Sequence, residues 1–149
     1  MPGLYFEEFT TGQTVKTAGR TISEDAIFSF AGLTGDFNQI HTDADFASQT
    51  QFGQRIAHGL LGMSIAVGLI MQTGMLEGTV LAFREINDWK FVKPFFIGDT
   101  VHAVLSISET KALPRIGAGS LTASLEVFNQ QDEVCQRGTL NLLVLSRPK

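Results

Sequence analysis

"IAHGLLGMSIAVGLIMQTGML", Ile56 to Leu76, is the stretch that decides the fold. It contains no Asp, Glu, Lys or Arg and approaches the ~20 residues needed to cross a bilayer. A membrane span is nevertheless rejected, because His58, Ser64, Gln72 and Thr73 interrupt the run, four glycines lighten it and no second candidate span exists. A helix that is apolar on every side is also what a fully buried core helix looks like. The stretch therefore predicts a core helix from about Gly59 to Thr73, and the rest of the chain must cover it.

Downstream, from Thr79, β-branched and aromatic residues alternate with polar ones in segments separated by turn chemistry. "GTVLAFREINDWKFVKP" reads as a long or bulged strand ending at Pro94. "GDTVHAVLSISETKAL" starts at a Gly-Asp turn and puts Val101, Ala103, Leu105 and Ile107 on one face. "SLTASLEVFNQ" does the same with Leu121, Ala123, Leu125 and Val127, and "EVCQRGTLNLLVLS" follows a polar "NQQDE" turn. The last two segments should pair as an antiparallel hairpin. Several antiparallel strands and one helix without a polar face admit an economical arrangement, an α+β domain in which the sheet curls around the helix. A small curled sheet leaves an edge and a face to cover, and self-association as a homodimer or higher homo-oligomer would supply the cover.

Upstream, "TVKTAGRTI" is extended. Ser23 can cap a helix carrying Glu24 and Asp25 in its first turn, where negative charge suits the dipole. Ile27, Phe28, Ala31 and Leu33 form its apolar face, Gly35 stops it, and "DFNQIHT" follows as loop. Asp43 caps a short helix through Ala47, and "TQFGQRI" leads as loop into the apolar helix.

Composition narrows the function classes. The 149 residues fit one domain, residues 1–149, large enough for its own core. Eleven Lys and Arg against fifteen Asp and Glu give a net charge of −4 with no basic stripe, which disfavours nucleic acid. The single cysteine, Cys135, excludes an internal disulfide, fits a reducing compartment and is read as strand core. The start, "MPGLYFEEFTTGQT", lacks a basic segment and an apolar run, so a cytoplasmic location without an export signal is expected. Three histidines at 41, 58 and 102 show no paired metal-ligand spacing, so no metal is expected.

The chemistry concentrates in residues 33–47, "LTGDFNQIHTDADFA", where Asp36, Asn38 and His41 lie within six positions. An ionised carboxylate and an imidazole can both accept hydrogen bonds from one water. Positioned acid and base groups typically contribute ~100 to 10,000-fold each. The start of the apolar helix offers N–H groups that lack intrahelical acceptors and carry the positive end of the helix dipole, and Gly59 lets a substrate oxygen approach them closely.

The run Gly35-Asp36-Phe37-Asn38-Gln39-Ile40-His41, then Ala57-His58-Gly59, then "FVKPFFIGDTV" from Phe91 to Val101, resembles the MaoC-like (R)-specific enoyl-CoA hydratases and dehydratases over nearly the whole chain. The resemblance implies the hot-dog fold, a curved antiparallel sheet wrapped round a long central helix. It also implies a dimer and the reversible addition of water to 2-enoyl coenzyme A thioesters without a metal or redox cofactor, an acyl-CoA being the substrate. By the same resemblance Asp36 and His41 are the catalytic dyad, with the roles of base and acid open between them. Asn38 is a supporting polar group and the Gly59 N–H meets the thioester carbonyl. His58 either contacts substrate or caps the helix.

Two positions depart from the family pattern. Gln39 stands where proline is usual, and Val67 stands where the best-known members have serine, a loss that Ser64, one turn earlier, could partly make good. Arg55, Arg84, Lys90, Lys93 and Arg115 are candidates for coenzyme phosphates, His102 reads as surface, and Met63, Met71 and Met75 as core filling. Two alternatives stand beside the hydro-lyase. One is an acyl-CoA thioesterase of the same fold, disfavoured because residues 59–76 carry no carboxylate. The other is a noncatalytic acyl-thioester-binding subunit, expected if Asp36 and His41 point apart or are fully exposed.

Overall fold

The computed structural model describes residues 2–149. Two short strands, β1 (Thr14–Lys16) and β2 (Arg20–Thr21), precede α1 (Glu24–Thr34), α2 (Gln39–Thr42) and α3 (Ala44–Ser48). The long helix α4 (Gly59–Gln72) follows, then β3 (Val80–Phe91), β4 (Thr100–Leu113), β5 (Ala118–Phe128) and β6 (Val134–Leu145). The strands form one antiparallel sheet in the order β1-β4-β5-β6-β3, with β2 also on β4.

The alternation in the sequence becomes the inner face of this sheet. Ala103 opposes Val127, Leu105 opposes Leu125 and Ile107 opposes Ala123. Their partners on β6, Leu140 opposite Ala123 and Leu142 opposite Leu121, continue the face, and all of these side chains are buried. Register shifts in β3, between β4 and β5, and between β5 and β6 mark bulges, which bend strands and increase their twist. The sheet thereby wraps α4, and Leu61, Ile65, Ala66, Leu69 and Ile70 share one core with the inward strand residues. Each fully buried Leu or Ile contributes roughly 1.5–3 kcal/mol. The all-apolar stretch is thus a core helix; no helix among the described residues is long and apolar enough to cross a membrane.

The helix signals upstream hold in detail. Ser23 Oγ accepts from the Ala26 N–H at 3.1 Å, and Gly35 ends α1 at φ 84° with its N–H on the Ala31 carbonyl at 2.8 Å. Asp43 Oδ1 accepts from the Phe46 N–H at 3.0 Å at the start of α3. The apolar face of α1 differs from the expected one. Ile27 and Ala31 are buried and Phe30 packs beside them, but Phe28 is 41% and Leu33 84% exposed. At 100° per residue, Phe28 and Leu33 fall on opposite flanks of the stripe that Ile27, Phe30 and Ala31 define.

Candidate active site

Four successive backbone devices bring Asp36, His41 and His58 together. The Asp36 N–H donates to Thr34 Oγ1 at 3.2 Å, on the residue that closes α1. The Asp36 carboxylate accepts from the Asn38 N–H at 3.2 Å. Asn38 Oδ1 in turn accepts from the Ile40 N–H at 3.3 Å, so Asn38 caps a one-turn helix, α2, with His41 in its last turn. His41 therefore sits on a short helix where the sequence indicated loop. A single turn carries too few residues to show a period. Gln39 occupies the first helical position of α2, the position at which proline is tolerated because its missing N–H has no intrahelical partner. Replacing proline there leaves the turn intact.

The fourth device is the segment leading into α4. The Ile56 N–H donates to the Ile40 carbonyl at 3.3 Å and the Ala57 N–H to the Phe95 carbonyl at 2.8 Å. His41 Nδ1 lies 2.7 Å from the Ile56 carbonyl oxygen. A carbonyl can only accept, so Nδ1 carries the hydrogen and, in the neutral ring, Nε2 keeps its lone pair. The His58 ring stacks on His41 with centroids 3.8 Å apart and planes 28° from parallel, and Phe30 tilts against its other side at 4.9 Å. His58 Nε2 donates to the Asp36 main-chain carbonyl at 2.9 Å. His58 occupies the N-cap position of α4 but makes no side-chain cap bond, so its role is to tie the Asp36 backbone to the helix start. His58 Nδ1 is buried without a hydrogen-bond partner among the described residues.

A carboxylate oxygen of Asp36 and one ring nitrogen each of His41 and His58 lie within 4.8 Å of one another. Two acceptors that share one water at about 2.8 Å each, near the tetrahedral angle, stand about 4.6 Å apart. The spacing therefore suits a shared water. The same residue types can also ligate a metal ion, although His41 Nδ1 and His58 Nε2 are already engaged on main-chain carbonyls. Asp36 is exposed, His41 sits at the margin of burial and His58 is 3% exposed, so the carboxylate meets solvent above two packed rings.

Gly59 begins α4 beside these groups. A side chain there would collide with Phe91, since its Cβ would stand 2.8 Å from the ring. A cleft of about 530 Å³ opens at this point, lined by Phe52, Leu60, Phe91, Phe95 and Gln136 together with Ile56, Ala57 and Gly59. Asp36 and His41 are not among its lining residues. Cleft and dyad adjoin through the Ile56–Gly59 main chain, whose Ile56 carbonyl holds His41 and whose Gly59 opens α4 on the cleft side.

Ser64 lies outside this cluster: its hydroxyl donates to the Leu60 carbonyl at 2.7 Å, and it lines a separate groove between α1 and α4. Val67 is partly buried against the core. Three of the candidate phosphate ligands are already engaged, Arg55 with Glu24 at 2.8 Å, Arg84 Nε with Asn141 at 2.9 Å and Lys93 with Glu133. Lys93 pairs with Glu133, and that pairing holds the Lys93 pKa up and the Glu133 pKa down. His102 is less superficial than its alternation suggested, with a side chain 14% exposed and stacked on Phe128 at 5.0 Å.

A profile described as the MaoC-like domain matches residues 7–127. The chain belongs to the MaoC-like dehydratase family. Among its relatives, the Bacillus subtilis protein YdeM, whose function is uncharacterised, is 31% identical over 141 residues, 95% of this chain and 99% of YdeM. The (R)-specific enoyl-CoA hydratase of Rhodospirillum rubrum is 36% identical over 104 residues, 70% of this chain and 69% of that enzyme. The unliganded R-hydratase PhaJ1 of Pseudomonas aeruginosa superposes with a TM-score of 0.82 at 28% identity, covering 97% of this chain and 88% of that one. A Mycobacterium tuberculosis protein with a double hot-dog fold aligns with a TM-score of 0.87 over 99% of this chain and 46% of its own, at 19% identity, a likeness of fold alone. The hot-dog fold expected of a MaoC-like chain is the fold observed.

What the sequence did not indicate is the polar support beneath this site. Gln136 sits on the inner face of β6, 2% exposed, in a position that the alternation assigns to core. The available signal is a lone amide where Leu140, Leu142 and Val144 continue the same face.

Proposed function

We propose that the protein is a hydro-lyase that interconverts a 2-enoyl-CoA and the corresponding (R)-3-hydroxyacyl-CoA, with Asp36 and His41 activating one water and the Gly59 N–H binding the thioester oxygen. The observation that carries this reading is the approach of the Asp36 carboxylate and the His41 ring within the reach of a shared water, next to a glycine helix start that opens on a cleft. The names of the Rhodospirillum and Pseudomonas relatives agree with it.

In the hydration direction the water oxygen bonds to the β carbon and its proton passes to His41 Nε2. The imidazole is suited to that role because Nδ1–H is committed to the Ile56 carbonyl. The π electrons of the double bond move onto the thioester oxygen, where the helix-start N–H receives the charge; losing one such donor typically costs about 3 kcal/mol. The imidazolium then returns a proton to the α carbon. Asp36 accepts the second hydrogen of the water and offsets the positive charge on the ring. Asn38 acts by holding α2. The acyl thioester would occupy the Gly59 cleft.

A homodimer is part of the same proposal. Strand β3 closes one end of the sheet order, and Leu81, Phe83 and Ile86 along it are 39–51% exposed. A second copy would cover that edge, and a monomer by light scattering at micromolar concentration would remove this part.

The test is incubation with crotonyl-CoA. The absorbance of the conjugated thioester should fall, Asp36→Asn and His41→Ala should abolish most of the fall, and both variants should keep the thermal transition of the native chain. No turnover over short, long and branched enoyl-CoAs would favour the noncatalytic binding subunit, and release of free thiol would favour the thioesterase.

A further inference from the structure

Gln136 hydrogen-bonds two groups that each work in one direction. Its Nε2 donates to the Gly59 carbonyl at 2.9 Å, and its Oε1 accepts from the indole N–H of Trp89 at 3.2 Å. A carbonyl only accepts and an indole only donates, so the amide orientation is fixed and a side chain with one donor and one acceptor end is required. An ionised carboxylate cannot supply the donor and an apolar side chain supplies neither. A buried amide costs stability unless its partners are in place, so two satisfied bonds at 2% exposure mark a built contact.

The contact is braced from both ends. Trp89 lies at the bulge where the β3–β6 register shifts between Asn87 and Lys90, after Asp88 at φ 53°. Its ring is seated on Gly138, where a Cβ would stand 2.5 Å from Trp89 Cε3. On the helix side, Gly62 gives Gln136 its room, since a Cβ there would stand 2.6 Å from Nε2. The bond falls on the carbonyl of the peptide that joins Gly59 to Leu60. Donation to a peptide carbonyl polarises that peptide and makes its own N–H a stronger donor. That N–H belongs to Leu60, the second residue of α4, which has no intrahelical acceptor and which lines the cleft with Gly59.

We propose that Gln136 is a positioning residue for the oxyanion site: it locks the first turn of α4 to the sheet and activates the Leu60 N–H as a second donor beside Gly59. The proposal rests on the hydro-lyase reading above. It adds a residue on β6 that reaches the reacting oxygen only through the Gly59–Leu60 peptide, although its side chain also lines the cleft.

Three variants and two readouts test it. Gln136→Met should lower kcat by roughly 10-fold, part of the ~100- to 1000-fold carried by a whole oxyanion donor, with KM changed much less because the charge develops after binding. Trp89→Phe, which frees one end of the amide, should give a smaller loss of the same kind and covers the case in which Gln136→Met fails to fold. In Gln136→Glu, a protonated acid can donate to the Gly59 carbonyl and a carboxylate cannot, so across the pH range in which circular dichroism shows the variant folded the ratio of variant to native kcat should rise as pH falls; there a merely structural role leaves that ratio flat. Independently of activity, the Leu60 amide proton should move upfield in Gln136→Met. Native-like kcat in all three variants, a pH-independent ratio, or an unmoved Leu60 resonance overturns the proposal. If the native protein hydrates no enoyl thioester, the hydro-lyase reading fails and the catalytic role of Gln136 with it, while the Leu60 shift still reports on the contact itself.

Discussion

Gly59 and Gly62 stand three positions apart on α4, and the same substitution should have opposite consequences at the two. In Gly59→Ala the new methyl meets the Phe91 ring at 2.8 Å. Phe91 is 54% exposed, so its ring can swing aside at little cost. Alanine also gains up to ~1 kcal/mol over glycine in helix propensity. Stability should therefore stay within roughly 1 kcal/mol of native, either way. Activity should not survive, because the methyl and the displaced ring crowd the approach to the helix-start N–H. A lost donor of this kind is worth about 3 kcal/mol, so kcat/KM should fall by ~100-fold or more.

In Gly62→Ala the methyl meets Gln136 Nε2 at 2.6 Å and Phe95 Cδ2 at 2.9 Å, and both side chains are 2% exposed. Neither has anywhere to go. Overpacking of about 1–3 kcal/mol less a propensity gain of up to ~1 kcal/mol leaves a net loss of roughly 0–3 kcal/mol. The thermal midpoint then drops by roughly 2–4 °C per kcal/mol in a domain of this size. Scanning calorimetry and the crotonyl-CoA assay on both variants read the contrast. A fully active Gly59→Ala together with a Gly62→Ala more stable than native would refute the reasoning.

Further outcomes follow from individual contacts. His58→Ala removes the donor to the Asp36 carbonyl and should cost about 1–3 kcal/mol and most of the activity; unchanged kcat would show that Asp36 is held without it. Burial raises the thiol pKa of Cys135, which is fully buried, so iodoacetamide at pH 8 should leave the native thiol unmodified and label it once urea unfolds the chain. Burial foremost, and Lys16 second, hold the His102 pKa below its ordinary value against the opposing pull of Asp132. The unfolded chain therefore binds this proton more readily than the folded one. Stability is undiminished above the unfolded pKa of ~6.5 and falls as pH drops through the folded value. The urea midpoint should decline from pH 7 to pH 5, and less so in His102→Phe, which preserves the stack on Phe128.

The parts of this fold that were legible in the sequence are those fixed by period and by caps. Val101 to Ile107 and Leu121 to Val127 alternate because one face of each strand is buried, and Ser23, Gly35 and Asp43 bound their helices through the bonds their side chains or φ values permit. The parts that were not legible depend on tertiary placement. Leu33 reads as core on composition and faces solvent because α1 presents a narrow stripe. The α2 turn is too short to declare itself, and His102 alternates outward yet is covered by Phe128. At the site, the Asp36 and His41 motif was visible as spacing. Its support was not: the His58 bond to the Asp36 carbonyl spans 22 positions and the Gln136 bond to Gly59 spans 77. Such bonds exist only once β6, α4 and the loop that follows α1 are folded against one another.

The most direct measurement of the central claim is a crystal structure of the Asp36→Asn variant with (R)-3-hydroxybutyryl-CoA bound. If the claim holds, the 3-hydroxyl lies between residue 36 and His41 Nε2, and the thioester oxygen on the helix-start N–H of Gly59. A thioester seated elsewhere, or a hydroxyl out of reach of His41, would contradict it.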